Sequence, residues 1–204
     1  MSRIRLTRWH WGAVLLLLAE LAVAALVLVP RPSAAYRAQF IDRVDCWHAE
    51  QGGSYHLGDT VHPRFDTPEA GPDGIFACGW LTLDDGAWSL GGAAHLYFRL
   101  PPESGQLRLE LVVRALVSPS HPVQRIELEA DGVALPTLRL TSREFLDLAV
   151  DMPAEVVGDG SLDLKLRFPD AVSPRRIGAG SHRGALALFV QSVTLSPQAP
   201  PSPK

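Results

Sequence analysis

A strict alternation of apolar and polar side chains is the feature that most limits what this chain can fold into. In the range 106–116, Leu or Val stands at every second position from Leu107 to Val113. Residues spaced two apart lie on one face of a β-strand, so this pattern predicts a strand with one buried face. The opposite face of that strand then holds Arg108, Glu110, Val112 and Arg114.

Further short runs predict strands of the same kind. Gly, Pro, Asp and Ser separate them, one run ends at the hairpin signal Asp131-Gly132, and no sustained helical period competes after residue 51. We therefore predict an all-β fold, an antiparallel β-sandwich over residues 75–196, after a loop-rich linker over 31–74 with one strand near 54–57. The runs cover residues 75–80, 93–100, 123–130, 133–140, 144–150, 161–168 and 185–195.

The N-terminal segment is the second strong signal. Residues 12–29 are an apolar run of eighteen with one charge, Glu20. At about 1.5 Å per residue, a helix of that length spans roughly 27 Å, close to the hydrocarbon thickness of a bilayer. The apolar core of a signal peptide is shorter, about 7–15 residues. We therefore predict that residues 1–30 are an uncleaved, single-pass transmembrane anchor, and cleavage at Ser33-Ala34-Ala35 is the alternative.

Positive charges set the predicted orientation of this anchor. Arg3, Arg5 and Arg8 precede the apolar run, and such residues stay on the cytoplasmic side of a membrane. The N-terminus is thus predicted in the cytoplasm of a bacterial cell. The sandwich is predicted on the other side of the inner membrane, in the periplasm or extracytoplasmic space.

Glu20 falls near the middle of the predicted membrane helix. An ionisable group there costs about 2.5–3.5 kcal/mol on insertion scales. Seven Leu and four Val in the same run offset that cost. Two interpretations remain open. Glu20 is either protonated and tolerated by lipid, or it pairs with a polar group on another membrane helix, which would make this chain a subunit of a membrane complex.

Composition narrows the compartment and the class of partner. A net charge of −3 gives no electrostatic reason to expect nucleic acid. The two cysteines, Cys46 and Cys78, both follow the predicted anchor, and in an oxidising compartment such a pair is most simply a disulfide. Two separate buried thiols are the alternative. Residues 197–204 are polar and rich in proline, and we predict that they are disordered.

No motif in the sequence indicates catalysis. The nucleophile elbow, the zinc-protease helix, the P-loop and the dinucleotide fingerprint are all missing from the sequence. We predict a protein that is not an enzyme and that has no cofactor and no metal site. Asp84-Asp85-Gly86 could offer oxygens to a structural Ca²⁺, but calcium takes about six to eight oxygen ligands. An acidic turn is therefore the favoured interpretation.

Aromatic residues give the best indication of a ligand. Trp80, Trp88 and Tyr97 lie within eighteen residues. Indole and phenol rings can stack on the apolar faces of sugar rings, yet a sandwich core also uses such residues as bulk, with the polar atom bonded internally. Both interpretations stay open for Trp80, and the core interpretation is favoured for Trp88.

A series of short motifs runs from Gly79 to Leu195. They are Gly79-Trp80, residues 85–91, residues 96–101, residues 124–128 with Asp131-Gly132, residues 164–169, Ser173-Pro174 and residues 181–186. Together they resemble a jelly-roll β-sandwich domain of bacterial envelope proteins. In that family the domain is often fused to multi-spanning glycosyltransferases, and it accompanies phosphoglycerol transferases and other polysaccharide-assembly proteins.

This chain departs from the family pattern at two positions. Leu81 follows Trp80 where the family usually has Ser, and Ser181 stands two before Arg183 where the family usually has an acidic residue. An acid–arginine pair at that place would therefore be missing here. The resemblance implies a jelly-roll fold, a non-catalytic role and an envelope-glycan context.

The resemblance also implies what the chain would contact. We predict an accessory subunit in envelope polysaccharide or glycolipid assembly, which binds a glycan or docks on a multi-spanning envelope glycosyltransferase or related membrane enzyme. A purely structural subunit and a small glycan-modifying enzyme are the alternatives. Seven residues are predicted to contact the glycan or partner, because of their residue type and their position in the resemblance. They are Trp80, Asp85, Trp88, Gln124, Arg125, His182 and Arg183.

Overall fold

The computed structural model describes residues 8–28, 55–64, 74–101, 105–156 and 160–198. The chain divides into two compact units, Met1–Tyr36 and Arg37–Lys204. The described part of the first unit is one helix, α1 (Arg8–Leu28), on which Glu20 is exposed. Within the described ranges, no helix combines the length and the apolar character needed to cross a membrane. The possible cleavage site at 33–35 lies outside those ranges.

The second unit is built from β-strands, twelve of which lie in the described residues. They are β1 (Thr60–Val61), β2 (Phe76–Cys78), β3 (Trp80–Leu83), β4 (Gly86–Leu90), β5 (Ala93–Arg99), β6 (Leu107–Ala115), β7 (Gln124–Ala130), β8 (Val133–Ala134), β9 (Leu138–Leu140), β10 (Leu146–Met152), β11 (Ser161–Arg167) and β12 (Leu186–Pro197). A single 3₁₀ turn, Ala154–Val156, follows β10.

The strands form two antiparallel sheets. The first sheet has the order β10-β6-β12-β4-β3, with β1 also paired to β12. The second has the order β2-β5-β11-β7-β8, with β9 also paired to β7. The chain crosses between the sheets at each step from β4 to β7 and again from β9 to β12. The units β4-β12-β6-β10 and β5-β11-β7-β9 are the two sheets of a jelly roll, so the predicted sandwich is confirmed.

The core lies between the two sheets. The alternating side chains of β6 are buried as predicted, and so are Ile126 and Leu128 of β7. Phe98 and Phe168 are among the largest side chains that are fully buried. Burying one such apolar side chain stabilises a fold by roughly 1.5–3 kcal/mol, so the period-two pattern accounts for much of the stability of the sandwich.

Three predicted strands differ from those observed. The run 75–80 is divided at Gly79, which has a φ of 77°, where the chain passes from the second sheet to the first. The run 133–140 is divided around Pro136, because proline has no N–H to donate to a strand ladder. The strand expected near 54–57 forms instead at Thr60–Val61, after a turn at Gly58 with a φ of 96°.

The hairpin signal Asp131-Gly132 is confirmed. These residues join β7 to β8, with φ values of 45° and 81°. A two-residue turn of this type needs positive φ at both positions, which Asp tolerates and Gly adopts freely. A second hairpin, β3–β4, was not predicted as a pair of strands, and its turn is the acidic pair Asp84-Asp85.

Ser89 is a polar residue inside the core. Its Oγ accepts hydrogen bonds from the backbone N–H groups of Ala187, at 3.1 Å, and Leu188, at 3.0 Å. The register between β4 and β12 shifts between Leu186 and Phe189. The hydroxyl of Ser89 therefore satisfies two N–H groups that this irregular stretch of β12 would otherwise leave without partners.

Tyr55 ties the segment before β1 to both sheets. Its backbone N–H donates to the carbonyl of Arg99 at 3.1 Å, and its hydroxyl accepts from the N–H of Leu195 at 2.7 Å. The hydroxyl also contacts the carbonyl oxygen of Asp59, and the ring packs edge-on against Phe98 at 5.2 Å. Burial raises the pKa of this hydroxyl, which keeps it neutral and able to donate.

Cys78 ends β2 in the second sheet. Cys78 is the one cysteine within the described ranges, and it is not free. Cys46 lies outside the described ranges, so the disulfide between Cys46 and Cys78 stays a prediction.

Candidate functional site

The outward face of the first sheet has open space above its central strands. Strand β6 lies between β10 and β12, and the register sets Glu110 of β6 between Ala149 of β10 and Thr194 of β12. Ala149 and Thr194 have small side chains. The outward surface is therefore low on both sides of Glu110, over β10 and β12.

This space is a cavity of about 550 Å³, which we call the outer groove. Its volume falls in the range of about 300–1,000 Å³ that is usual for small-ligand sites. Most of its lining side chains are polar. The lining residues are Thr60, Arg108, Glu110, Leu111, Val112, Asp147, Leu148, Ala149, Ser192 and Thr194.

Hydrogen-bonding groups of three kinds face the outer groove. The hydroxyls of Thr60 and Thr194 lie 2.8 Å apart. Arg108 donates to Asp151 at 3.0 Å, and its Nε lies 3.5 Å from a carboxylate oxygen of Glu110. Asp147 adds an exposed carboxylate. Hydroxyls, carboxylates and a guanidinium are thus available together, and the acidic groups are in excess.

An aromatic cluster continues the same face along β6. The Cζ of Arg114 lies 4.5 Å from the ring centroid of Phe189, 5.2 Å from that of Phe145 and 5.7 Å from that of Trp88. Trp88 and Phe189 meet edge to face at 5.3 Å. Phe189 is fully buried beneath its neighbours, whereas Phe145 is 42% exposed. We call Trp88, Arg114, Phe145 and Phe189 the aromatic cluster.

Gly86 makes room for this cluster. A Cβ atom at Gly86 would lie 2.4 Å from Cζ of Phe189 and 2.6 Å from the carbonyl oxygen of Val190. The φ of Gly86 is 154°. A residue with a side chain would displace the phenyl ring, so the glycine at the start of β4 positions Phe189 under Trp88 and Arg114.

The two predicted tryptophans lie on opposite sides of the first sheet. Trp80 stands opposite Ser89 and packs against the core, with its Nε1–H donating to the carbonyl of His95 at 2.7 Å. Its ring meets Phe76 edge to face at 5.1 Å. Trp88 stands opposite Phe189 on the outward face. Trp80 therefore contributes to packing, and Trp88 is the indole that is near the outer groove.

Asp85 lies with Asp84 in the exposed turn between β3 and β4. Two carboxylates do not supply the ligands of a calcium ion. In the part of the chain that the structure describes, no group of three or more His, Cys, Asp or Glu side chains is placed to hold a metal ion.

Gln124 and Arg125 begin β7 in the second sheet. Gln124 is buried, and its Nε2 donates to the carbonyl of Leu116 at 3.0 Å. Arg125 makes two hydrogen bonds of 2.7 Å to the carboxylate of Asp170. These bonds lower the pKa of Asp170 to about 2. Both residues thus hold the loops at one end of the sandwich.

His182 and Arg183 lie in the loop between β11 and β12, where both are exposed. The carbonyl of His182 accepts hydrogen bonds from Ser173 Oγ at 3.0 Å and from the N–H of Arg175 at 3.1 Å. This loop lies at the same end of the sandwich as the start of β7. The seven predicted contact residues nevertheless do not share one face, because Trp80 and Trp88 lie on opposite sides of the first sheet and Gln124 is buried in the second. Their role in binding stays a prediction.

Sequence reasoning missed most of the residues around the outer groove. It did place Arg108, Glu110, Val112 and Arg114 on one face of a strand, and that face is now seen to form the base of the site. The residues that complete the site lie on other strands, or directly before β10 in the case of Phe145, and only the sheet order identifies them. Thr60, Phe145, Asp147 and Thr194 belong to this group.

No protein-family model matches the chain, and no curated protein matches it in sequence. Several solved structures are similar to part of the chain at low identity. A carbohydrate-binding module CBM36 in complex with calcium and xylotriose is 12% identical, covers 69% of this chain and 92% of its own, and has a TM-score of 0.37.

Two further solved structures show the same level of likeness. A family 35 carbohydrate-binding module from an environmental isolate is 15% identical over 72% of this chain and 95% of its own, with a TM-score of 0.35. A ruminal GH26 endo-β-1,4-mannanase is 8% identical over 74% of this chain and 28% of its own, with a TM-score of 0.41. Because these identities and TM-scores are so low, the similarities support no conclusion about function. The outward face of the first sheet is the basis for the proposal that follows.

Proposed function

We propose that the sandwich is a non-catalytic glycan-binding module and that its ligand lies in the outer groove. One observation carries the proposal. A single sheet face combines a cavity of about 550 Å³, lined by hydroxyl and charged groups, with a partly exposed aromatic cluster next to it.

The chemistry of this face suits a sugar chain. Carboxylates such as Glu110 and Asp147 accept hydrogen bonds from sugar hydroxyls, and Arg108 and the threonine hydroxyls can donate to ring and hydroxyl oxygens. Trp88 and Phe145 offer apolar ring surface on which a sugar ring can stack. The strands fix the backbone positions of these groups, and the contacts of Arg108 with Glu110 and Asp151 restrict part of their side-chain freedom before binding.

Filling the outer groove is expected to abolish binding. Ala149 is exposed at the groove, so Ala149→Arg should occupy the cavity without disturbing the core. The ligand for this test is the oligosaccharide that the wild-type chain binds best on an array of neutral and uronate-containing oligosaccharides. We expect Ala149→Arg to bind that ligand at least about tenfold more weakly than the wild type, which corresponds to about 1.4 kcal/mol. Isothermal titration calorimetry gives the affinity.

Ala134→Arg is the matched control. Ala134 is also an exposed strand alanine, but it lies on β8 of the second sheet. Equal affinity losses in the two variants, or an unchanged affinity in Ala149→Arg, would contradict binding in the outer groove. Conversion of the oligosaccharide to a product, lost in Glu110→Gln or Asp147→Asn, would favour the glycan-modifying enzyme instead.

We further propose that residues 1–30 attach the module to the bacterial inner membrane with the sandwich outside the cytoplasm. This proposal depends on the apolar run, the three preceding arginines and the length of the run in the sequence. In that setting the partner would be a membrane enzyme of envelope polysaccharide or glycolipid assembly, and Glu20 would be the contact within the bilayer.

Membrane fractionation tests the attachment. The full chain should remain in the membrane pellet after alkaline carbonate extraction, whereas a chain with residues 1–30 replaced by a cleavable signal should become soluble in the periplasm. A full chain released by carbonate would refute an integral anchor.

A further inference from the structure

We propose that Arg114 forms a carboxylate subsite at the end of the outer groove, so that the bound glycan carries a uronic acid at that position. This inference rests on the proposed glycan-binding function and specifies its ligand class. It arises from the unusual surroundings of a single guanidinium group.

Arg114 is held by aromatic rings and not by acids. The three rings of the aromatic cluster lie 4.5–5.7 Å from its Cζ. Across the described residues, no carboxylate forms an ion pair with it, and its Nε is buried without a hydrogen-bond partner. Arg108 and Arg125, by contrast, are each paired with an aspartate.

An arginine in this state is prepared to bind an anion. Cation–π contacts hold the guanidinium plane in place and compensate part of its lost hydration. The rings do not satisfy the in-plane N–H donors, and a buried donor without a partner is unfavourable. Nε is buried, so a ligand carboxylate would meet the outer end of the half-buried guanidinium, where it can accept two parallel N–H bonds from the terminal nitrogens and take a fixed orientation.

The rest of the face argues against a ligand with many negative charges. Glu110, Asp147 and Asp151 surround the outer groove, and Arg108 is already engaged with two of them. A second anionic group over the groove would meet these carboxylates, which repel it. The face therefore suits neutral sugars over the groove with one acidic sugar beside Arg114.

The spacing along β6 is compatible with this arrangement. Arg114 is two residues from Val112, which lines the groove, and two residues of a strand cover about 7 Å. A sugar stacked near Trp88 and Phe145 would therefore place its carboxylate at Arg114 while its neighbour in the chain occupies the groove.

Nuclear magnetic resonance of the full chain with sodium glucuronate tests the subsite directly. At millimolar glucuronate we expect progressive shifts of the Arg114 Nε–H and Trp88 Nε1–H signals, whereas glucose at the same concentration should leave both unchanged. In Arg114→Met the Trp88 shift should be lost. In Arg139→Met, which removes an exposed arginine from β9, it should remain.

Several outcomes would overturn the inference. One is the absence of any shift with glucuronate, and another is a Trp88 shift that persists in Arg114→Met. A third is an equal shift with sodium sulfate, which would indicate a general anion site. Binding to the oligosaccharide array distinguishes failure of the carboxylate subsite from failure of glycan binding in the outer groove. A uronate-containing oligosaccharide that binds the wild type, fails to bind Ala149→Arg and binds Arg114→Met with unchanged affinity would preserve the outer groove and refute the carboxylate subsite.

Discussion

Gly79→Ala is expected to lower the free energy of unfolding of the sandwich by roughly 2–5 kcal/mol. Gly79 has a φ of 77°, a conformation that costs an alanine about 1–2 kcal/mol. A Cβ atom there would also lie 2.3 Å from the carbonyl oxygen of Ala93 and 2.6 Å from Cα of Ala94. Both neighbours are backbone atoms of a buried strand, so the clash cannot be relieved by rotating a side chain.

Gly105→Ala separates these two effects. Gly105 has a φ of 69°, and a Cβ atom there would have no neighbour within 4 Å. The control should therefore lose only the conformational part, about 1–2 kcal/mol. Urea denaturation followed by tryptophan fluorescence measures both variants. Equal losses at the two positions would show that close packing at Gly79 contributes nothing.

Ser89→Ala is expected to be nearly as damaging, with a loss of roughly 2–4 kcal/mol. The substitution removes the one hydroxyl that accepts from both Ala187 and Leu188, and Ser89 is fully buried. Each N–H group left without a partner in the interior costs about 1–3 kcal/mol, whereas the added apolar character of alanine contributes little. Hydrogen exchange should show faster exchange of those two amides.

Ser196→Ala is the matched control for this prediction. Ser196 lies on β12 as well, but on the outward face opposite Arg108. Removing the Ser196 hydroxyl should change the free energy of unfolding by less than about 0.5 kcal/mol, as is usual for surface positions. A Ser89→Ala variant as stable as this control would mean that the irregular part of β12 finds other partners.

The strand pattern was largely predictable because burial on one face leaves a period of two in the sequence. Strand β6 has the burial that the alternation of Leu and Val required, and Asp131-Gly132 has the positive φ values that its hairpin turn needs. The pattern failed where backbone conformation decided the outcome. The crossing at Gly79 and the break around Pro136 depend on backbone properties that an apolar–polar pattern does not contain.

The candidate site was much less predictable, for a topological reason. Trp80 and Trp88 look equivalent in sequence, but β3 and β4 turn them to opposite sides of the first sheet. Arg114 was already placed on the outward face of its strand. Its importance depends on Phe145 and Phe189. Phe145 directly precedes β10 and Phe189 lies on β12, and both strands pair with β6 only in the folded state.

The position of β12 has a consequence for how the molecule folds. This strand separates β4 from β6 and also pairs with β1, so the first sheet is held together by its last strand in sequence. Contacts such as that between Tyr55 and Leu195 span 140 residues, and closing such long loops makes folding slow. During synthesis, β4 and β6 emerge well before their shared neighbour. Until β12 follows, their unpaired edges and the apolar faces of the incomplete sheet are the surfaces through which nascent chains would associate with one another.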